Sequence, residues 1–254
     1  MGRLMSAPQS PQGHDDRLLP TARAGAGQAL TVRQLEERRM IHRQESMREY
    51  ADAFRELRTR LLALAGAQDN ADGRRGGGNF ITLVAPVRHG CGGSFVARNL
   101  AAAFAFDESR QALLIDCDAT HPAQAAAMRI EAEHGLMDYL EDEGLDLGRI
   151  LHATGVPRLQ VIPGGRPRET PGESLSSFRM RAMIDSLRAE QPNRHIILDG
   201  PPVRGAPDAR ILSDLADWVV LVVGEGQVSR DLVDQAAASF APEKLAGVVF
   251  NRRP

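Results

Sequence analysis

Short apolar runs and longer amphipathic stretches alternate along the last two thirds of the chain. The apolar runs predict six β-strands: Phe80–Ala85, Ala112–Asp116, Leu159–Ile162, His195–Asp199, Trp218–Val223 and Gly247–Phe250. The stretches between them predict helices at Ser94–Phe106, Ser176–Glu190, Asp208–Leu215 and Ser229–Phe240. Most predicted strands are apolar at successive positions, which is typical of parallel strands buried on both faces. The alternation therefore predicts an α/β fold, a doubly wound and mostly parallel sheet with ligands at the carboxyl ends of its strands.

The pattern ahead of these strands changes three times. Residues 1–29 are rich in Pro, Gly, Ala, Gln and Arg without periodicity, which predicts a disordered tail. Residues 30–66 carry apolar side chains at helical spacing, which predicts a helical segment for oligomerisation or docking. Residues 67–78 contain Asp, Asn and a Gly-Gly-Gly run, as expected of a linker. The main domain then occupies residues 79–254.

Composition and charge narrow the class of protein. The chain has 254 residues, 43% of them hydrophobic, and a formal net charge of -2. This suits one α/β domain plus extra sequence, and near-neutral charge gives no general reason to expect nucleic acid as a partner. The chain has no apolar run of about 18 residues, so we expect no direct membrane span and a cytoplasmic location. A partner could still hold the protein at the inner face of the membrane.

The stretch Val84–Asn99 has the layout of a phosphate-binding loop, because a strand runs into a glycine-rich turn that opens a helix. Gly90, Gly92 and Gly93 allow the backbone to approach a ligand closely. The backbone N–H groups at the start of the helix form an anion site. Ser94 supplies a hydroxyl that could touch Mg²⁺. The loop therefore predicts a site for a nucleotide phosphate and its metal ion.

The loop lacks the lysine that such a motif needs. A phosphate-binding loop ends in Gly-Lys-Ser or Gly-Lys-Thr, but here Gly93 stands where the lysine should be. Losing one preorganised donor from a charge-stabilising site typically costs ~2.7–4 kcal/mol, or ~10²–10³ in rate. Arg88, five residues earlier, could restore the charge, since arginine is a good bidentate partner for phosphate. The alternative is that Arg88 is a solvated loop residue in an arginine-rich chain.

Carboxylates follow two of the predicted strands. Asp116 and Asp118 close the strand Ala112–Asp116, and Asp199 closes His195–Asp199. Beside a phosphate loop, such carboxylates hold Mg²⁺ directly or through water, or take a proton from an attacking hydroxyl. A single aspartate at a strand end often only caps the following turn. Three of them after a phosphate-type loop favour a catalytic and metal site.

Taken in order, these motifs resemble the bacterial tyrosine kinases, a family of phosphate-loop (P-loop) proteins of the ParA/MinD group. Asp116-x-Asp118 and Asp199-x-Pro-Pro resemble the family's Walker A′ and Walker B motifs, and Asp52-Ala-Phe-Arg-Glu-Leu-Arg58 resembles its E-x-x-R-x-x-R helix. The resemblance covers roughly residues 45–251. It implies ATP or ADP with Mg²⁺ as cofactor, and a function in regulating polysaccharide synthesis and export.

The resemblance also implies functions for residues outside the loop. Asp52, Arg55 and Arg58 would dock against the nucleotide loop of a neighbouring subunit; the alternative is an exposed helix face with local ion pairs. Asn251, at the end of the last strand, would lie beside the base; the alternative is an ordinary turn residue. Arg88 stands where ParA/MinD relatives carry a second, signature lysine.

The departures from the family pattern all bear on activity. Besides Gly93, Thr120 occupies the place of the arginine in the family's D-x-D-x-R pattern, and the only tyrosines are Tyr50 and Tyr139, so we expect no Tyr-rich tail. We therefore expect a cytoplasmic regulator of exopolysaccharide or capsule biosynthesis or export whose kinase activity is lost or impaired. Its nucleotide binding would be weakened. Its partner would be a transmembrane polysaccharide co-polymerase or a kinase-competent relative, in a homo- or hetero-oligomer.

Two other functions stay open at this point. The first is an active ATP-dependent tyrosine kinase or ATPase that uses Arg88 in place of the lysine. In that enzyme Asp116 would act near the metal or as base, Asp118 would orient metal-bound water, and Asp199 would hold Mg²⁺ through water. The second is a positioning ATPase of the ParA/MinD kind, which the kinase-like helix at Asp52–Arg58 disfavours.

Overall fold

A computed structural model describes residues 29–42, 44–71, 78–205 and 207–251. The predicted disordered tail lies outside the described residues, apart from its last residue. None of the helices in these ranges is both long enough and apolar enough to cross a bilayer.

The described chain forms a seven-stranded sheet in the order β3-β4-β2-β5-β1-β6-β7. Its strands are β1 Ile81–Pro86, β2 Gln111–Asp116, β3 His152–Ala153, β4 Leu159–Ile162, β5 Arg194–Asp199, β6 Trp218–Gly224 and β7 Leu245–Asn251. Only β3 runs antiparallel to its neighbour, and the other pairs are parallel. This confirms the predicted fold class. The two-residue strand β3 was not predicted, because it is too short to show a period.

Helices cover both faces of this sheet. They are α1 Val32–Glu37, α2 Arg48–Ala71, α3 Gly93–Ala105, α4 Gln124–Met128, α5 Leu136–Glu141, α6 Gly172–Leu175, α7 Phe178–Glu190, α8 Asp208–Leu215 and α9 Arg230–Ala237. Three 3₁₀ turns lie at Glu45–Met47, Leu147–Arg149 and Pro242–Lys244. The sequence did not predict α4, α5 and α6, which have four to six residues each. Helix α2 continues past residue 67, the predicted start of the linker, because residues 67–71 contain no glycine or proline.

The N-terminal helices share a hydrophobic core with the main domain. Phe54 and Leu61 on α2 belong to the buried cluster that also contains Val96 and Leu100 on α3. The rings of Phe54 and Phe95 meet edge to face with centroids 6.0 Å apart. The helical segment therefore packs on α3, the helix that the glycine-rich loop opens.

Candidate functional site

A cavity of about 610 Å³ opens at the carboxyl ends of the central strands. The predicted site residues that line it are Gly90, Gly92, Gly93, Ser94, Asp118 and Asn251. Pro86, which ends β1, and Gly200, which follows β5, also line it. The parallel register explains this convergence, because β1 and β2 both pair with β5 and end at the same edge. Ligands of open α/β sheets bind at this edge.

The glycine-rich loop keeps the backbone shape that a phosphate site needs. Gly92 is the N-cap of α3 and has a left-handed φ of 91°. A side chain here would be strained, and its Cβ would overlap the amide of Asn251. The Asn251 Nδ2 group donates to the carbonyl oxygen of Cys91 at 3.0 Å. Asn251 therefore lies at the cavity, and its side-chain amide donates one hydrogen bond to the loop. Its predicted contact with a nucleotide base stays a prediction.

Gly93 has a different constraint, because its backbone is helical. A Cβ built on Gly93 would lie 2.7 Å from Pro86 Cδ and 2.8 Å from Pro86 Cγ. Distances below about 3.0 Å are not observed between such atoms, so the proline ring occupies the space that any side chain at position 93 would need. The packing at the end of β1 therefore leaves no room for a lysine side chain at position 93.

Asp116 and Asp199 face each other across neighbouring strands. They are paired in the register of β2 and β5, and their exposed fractions are 1% and 0%. Asp116 Oδ2 accepts backbone N–H bonds from Ala123 at 2.9 Å and Gln124 at 2.8 Å. Asp199 Oδ2 accepts from Gln124 Nε2 at 2.7 Å, and the Ser94 hydroxyl also bonds to Asp199. The Oδ1 atoms of both carboxyl groups have no hydrogen-bond partner among the described residues.

This arrangement disfavours two negative charges. Burial raises the pKa of Asp199 to about 6, against the opposing effect of the bonds from Gln124 and Ser94. Burial, followed by the charge of Asp199, raises the pKa of Asp116 well above its usual range. Each carboxyl group also has one oxygen without a partner, so a bound proton or a cation beside the pair would relieve the repulsion.

Mg²⁺ fits this donor set. In the described part of the chain, no cluster of three or more His, Cys, Asp and Glu side chains could hold a metal ion by itself. Mg²⁺ needs no such cluster, since it takes one or two carboxylates and completes its shell with water and substrate phosphate. The predicted metal residues Ser94, Asp116 and Asp199 are brought together here.

Asp118 caps a turn and also lines the cavity. Its Oδ1 atom accepts from the backbone N–H of His121 at 3.1 Å, so it caps the turn after β2. It also lines the cavity while only 7% exposed. Its function toward metal-bound water stays a prediction.

Arg88 is exposed, and it contacts a different loop. Its Nη1 atom donates to the carbonyl oxygen of Gln227 at 3.2 Å, in the turn after β6. Its predicted function as a replacement for the lysine is therefore not tested by this geometry and stays a prediction.

The sequence did not predict two arginines that line the cavity, nor the fully buried Gln124 that bonds to one of them. Arg98 on α3 and Arg39 after α1 both line the cavity. Arg98 is 5% exposed, and its Nη1 donates at 3.1 Å to Gln124 Oε1, which ties it to the carboxylate pair. One signal could have revealed Arg98: it lies four residues after Ser94 in an otherwise largely apolar helix. Arg39 and Gln124 have no comparable signal.

The predicted interface residues divide into two groups. Asp52 and Arg55 form an ion pair on α2, with side chains 50% and 61% exposed. Arg58 instead turns inward and donates to the carbonyl oxygen of Ala103 on α3 at 2.8 Å. Two of the three residues are thus available to a neighbouring subunit, and their docking function stays a prediction.

Known proteins share sequence with this chain. No family model matches the sequence. The tyrosine-protein kinase CpsD of Streptococcus agalactiae is 31% identical over 177 residues, which cover 68% of this chain and 76% of CpsD. The chain belongs to the bacterial tyrosine-protein kinase family. A second family member, the tyrosine-protein kinase YwqD of Bacillus subtilis, is 31% identical over 174 residues, covering 68% of this chain and 70% of YwqD.

Solved structures show the same fold. The chimerical protein CapA2B2 superimposes with a TM-score of 0.69 and 24% identity, covering 85% of this chain and 93% of CapA2B2. The septum site-determining protein MinD of Pyrococcus horikoshii, complexed with Mg-ADP, gives a TM-score of 0.54 and 19% identity, with 68% of each chain covered. The predicted resemblance to the bacterial tyrosine kinases is confirmed, and the fold is shared with MinD.

Proposed function

We propose that this protein is a regulator of exopolysaccharide or capsule biosynthesis or export that binds ATP or ADP with Mg²⁺ and has lost or impaired kinase activity. The observation that carries the proposal is that the Pro86 ring occupies the position of a Cβ atom at Gly93. The site keeps its glycines, its hydroxyl and its carboxylates, but the position of the phosphate lysine is filled by a proline ring. The proposed pathway, exopolysaccharide or capsule biosynthesis or export, rests on membership of the bacterial tyrosine-protein kinase family.

The nucleotide would bind with its phosphates at the loop and its base toward Asn251. The backbone N–H groups at the start of α3 would bind phosphate oxygens, as at other helix N-termini. Ser94, Asp116 and Asp199 would hold Mg²⁺, and Asp118 would orient its water. When bound, Mg²⁺ supplies charge neutralisation to the phosphates and to the two carboxylates. The Mg-ADP bound by the MinD structure supports this choice of ligand.

Phosphoryl transfer would be impaired because the missing group is the lysine at position 93. In phosphoryl transfer most of the catalysis is positioning and electrostatic stabilisation of the transferred group. Without the lysine, a loss of ~10²–10³ in rate is expected, the range seen when one preorganised donor is removed. Binding depends more on the backbone N–H groups of the loop and on the side chains that would hold Mg²⁺, and the site retains both.

The protein would act in the cytoplasm by docking. Its partner would be a transmembrane polysaccharide co-polymerase or a kinase-competent relative, in a homo- or hetero-oligomer. The exposed pair Asp52 and Arg55 on α2 would contribute to that contact. The effect of nucleotide binding would be transmitted to the docking helix α2 through α3, because α2 packs on α3 and the phosphate loop leads into α3.

The test is equilibrium binding followed by turnover. Purified protein is titrated with a fluorescent ATP analogue with and without Mg²⁺, and then assayed for ATP hydrolysis and phosphotyrosine. We expect Mg²⁺-dependent binding that Asp199→Ala weakens, with turnover near background. Absence of binding at millimolar nucleotide would overturn the proposal. Robust turnover that Asp116→Ala abolishes would instead establish an active kinase or ATPase.

A further inference from the structure

The cavity that lacks a lysine holds two arginines. Arg98 is 5% exposed and sits behind Ser94, whereas Arg39 reaches the cavity from the segment between α1 and the turn at Glu45–Met47. Neither belongs to the loop motif. Both line the same space as Gly92 and Gly93.

Arg98 is directed toward the phosphate end of its helix. Side chains of an α-helix lean toward its N-terminus, so a residue four positions after Ser94 covers the first turn. Accordingly, Arg98 Nη1 lies 3.5 Å from the carbonyl oxygen of Ser94 and 3.1 Å from Gln124 Oε1. Its Nε atom is buried and has no hydrogen-bond partner among the described residues. The guanidinium of this cavity-lining residue therefore keeps one N–H donor without a partner.

Arg39 is held in place by the same helix. It has a positive φ of 52°, a conformation that non-glycine residues seldom adopt. Asn99, next to Arg98, fixes this turn: its Nδ2 donates to the Arg39 carbonyl oxygen at 3.0 Å and its Oδ1 accepts from the Ile41 N–H at 2.7 Å. The structure thus maintains a strained backbone that brings an arginine to the cavity.

The two positive charges interact with each other and with the carboxylates. Burial lowers the pKa of Arg98, the charge of Asp199 raises it, and the charge of Arg39 lowers it further. Two neighbouring guanidinium groups repel each other unless an anion lies between or beside them. A planar guanidinium is well suited to phosphate oxygens, which it can bind in pairs.

We propose that Arg98 and Arg39 bind the phosphates of the nucleotide in place of the missing lysine. The inference rests on the proposed nucleotide binding and names the residues that supply its charge. The ligand class is a nucleoside polyphosphate, and the contact is made from α3 and the preceding segment rather than from the loop.

The experiment measures phosphate binding directly. A fluorescent ATP analogue bound to the full chain in Mg²⁺ is displaced by inorganic tripolyphosphate, a probe without base or sugar. The variants are Arg98→Gln, Arg98→Lys and Arg39→Ala. The control is Arg230→Ala, which removes an arginine whose side chain is 93% exposed on α9. Thermal melts accompany each titration.

Arg98→Gln and Arg39→Ala should each raise the tripolyphosphate inhibition constant, calculated with the analogue affinity measured for that variant, about 10-fold or more, the range for a lost hydrogen bond to a charged group. Arg98→Lys should recover part of the loss, and Arg230→Ala should match the wild type. If the wild type binds the analogue and both variants behave like the control, the inference is refuted while nucleotide binding stands. If the wild type binds no nucleotide, the proposed function fails first.

Two remaining outcomes also decide the inference. If Arg98→Gln does not fold, Arg39→Ala carries the test, because Arg39 is exposed and its main-chain bonds are kept. If Arg98→Gln lowers the melting temperature but leaves tripolyphosphate displacement unchanged, Arg98 only neutralises Asp199 and the inference is wrong for that residue.

Discussion

The contact between Gly93 and Pro86 can be tested by adding a single methyl group. In Gly93→Ala the new Cβ would meet the proline ring at 2.7 and 2.8 Å, so the ring or the start of α3 must move. Pro86→Ala removes those two ring atoms and leaves only the Pro86 Cβ position, 3.1 Å away. The pair therefore forms a double-mutant cycle in which one substitution makes room for the other.

Two opposing effects set the change in the free energy of unfolding for Gly93→Ala. Overpacking a filled site costs about 1–3 kcal/mol. Replacing glycine by alanine within a helix returns up to about 1 kcal/mol. The difference of these two ranges is a net destabilisation of up to about 3 kcal/mol, and we expect a value near its middle because Cβ distances of 2.7 and 2.8 Å cannot be kept. In the Pro86→Ala background the clash is mostly relieved. The coupling free energy between the two substitutions should therefore be about 1–2 kcal/mol.

The assay is urea unfolding followed by circular dichroism for the four proteins of the cycle. Gly66→Ala on α2 is the matched control, because a Cβ there meets nothing within 4 Å and should stabilise the protein slightly. The same cycle with Gly93→Lys adds a readout of ATP affinity, which should rise only when Pro86→Ala is also present. A Gly93→Ala variant as stable as Gly66→Ala, or additive effects across the cycle, would refute the reasoning.

Three further predictions concern the carboxylates and the docking helix. Asp199, with its pKa raised to about 6, binds a proton more tightly when folded, so its contribution to stability is present below about pH 4 and is lost as the pH rises through 6. Asp199→Asn should therefore stabilise the nucleotide-free protein by up to about 3 kcal/mol at pH 7.5 and flatten the pH dependence of urea unfolding, and an unchanged slope would contradict this. Millimolar Mg²⁺ should raise the melting temperature of the wild type but not of Asp116→Asn, whereas an equal rise in both would exclude Asp116 as a ligand. Arg55→Ala should reduce self-association in analytical ultracentrifugation and change stability by less than about 1 kcal/mol, because its ion pair with Asp52 is exposed. Unchanged self-association would argue against the docking function.

The parts of the fold that the sequence predicts are those with a strong local signal. The strands β1, β2, β5 and β6 are continuous apolar runs, and the structure reproduces their positions within about one residue. The glycine loop and the aspartates were predictable for the same reason, because strand ends in a parallel sheet meet at one edge. Short elements such as β3 and α6 have no such signal, since their packing decides their conformation.

The missing parts of the site depend on contacts between residues distant in sequence. Arg39 reaches the cavity only because Asn99 holds its carbonyl group across 60 positions of sequence. Gln124 bridges Arg98 and Asp199 from a helix too short to be predicted. The contact of Pro86 with Gly93 likewise depends on the path of the loop, although both residues lie in one motif. A motif search detects the missing lysine but not the proline ring that fills its space.

Moving positive charge from the loop to α3 would change binding and catalysis differently. Arg98 is held by Gln124 and by the first turn of its helix before any ligand arrives, so its position is set by ground-state contacts. Because it lies on α3 and not at the loop position of the lysine, we expect this cation to stabilise a bound triphosphate and its transition state to a similar extent, which strengthens binding without speeding transfer. Acceleration needs an interaction that grows as charge moves onto the transferred group. A site with these two arginines but no loop lysine would thus hold nucleotide and turn it over slowly, which is the behaviour that a nucleotide-responsive regulator requires.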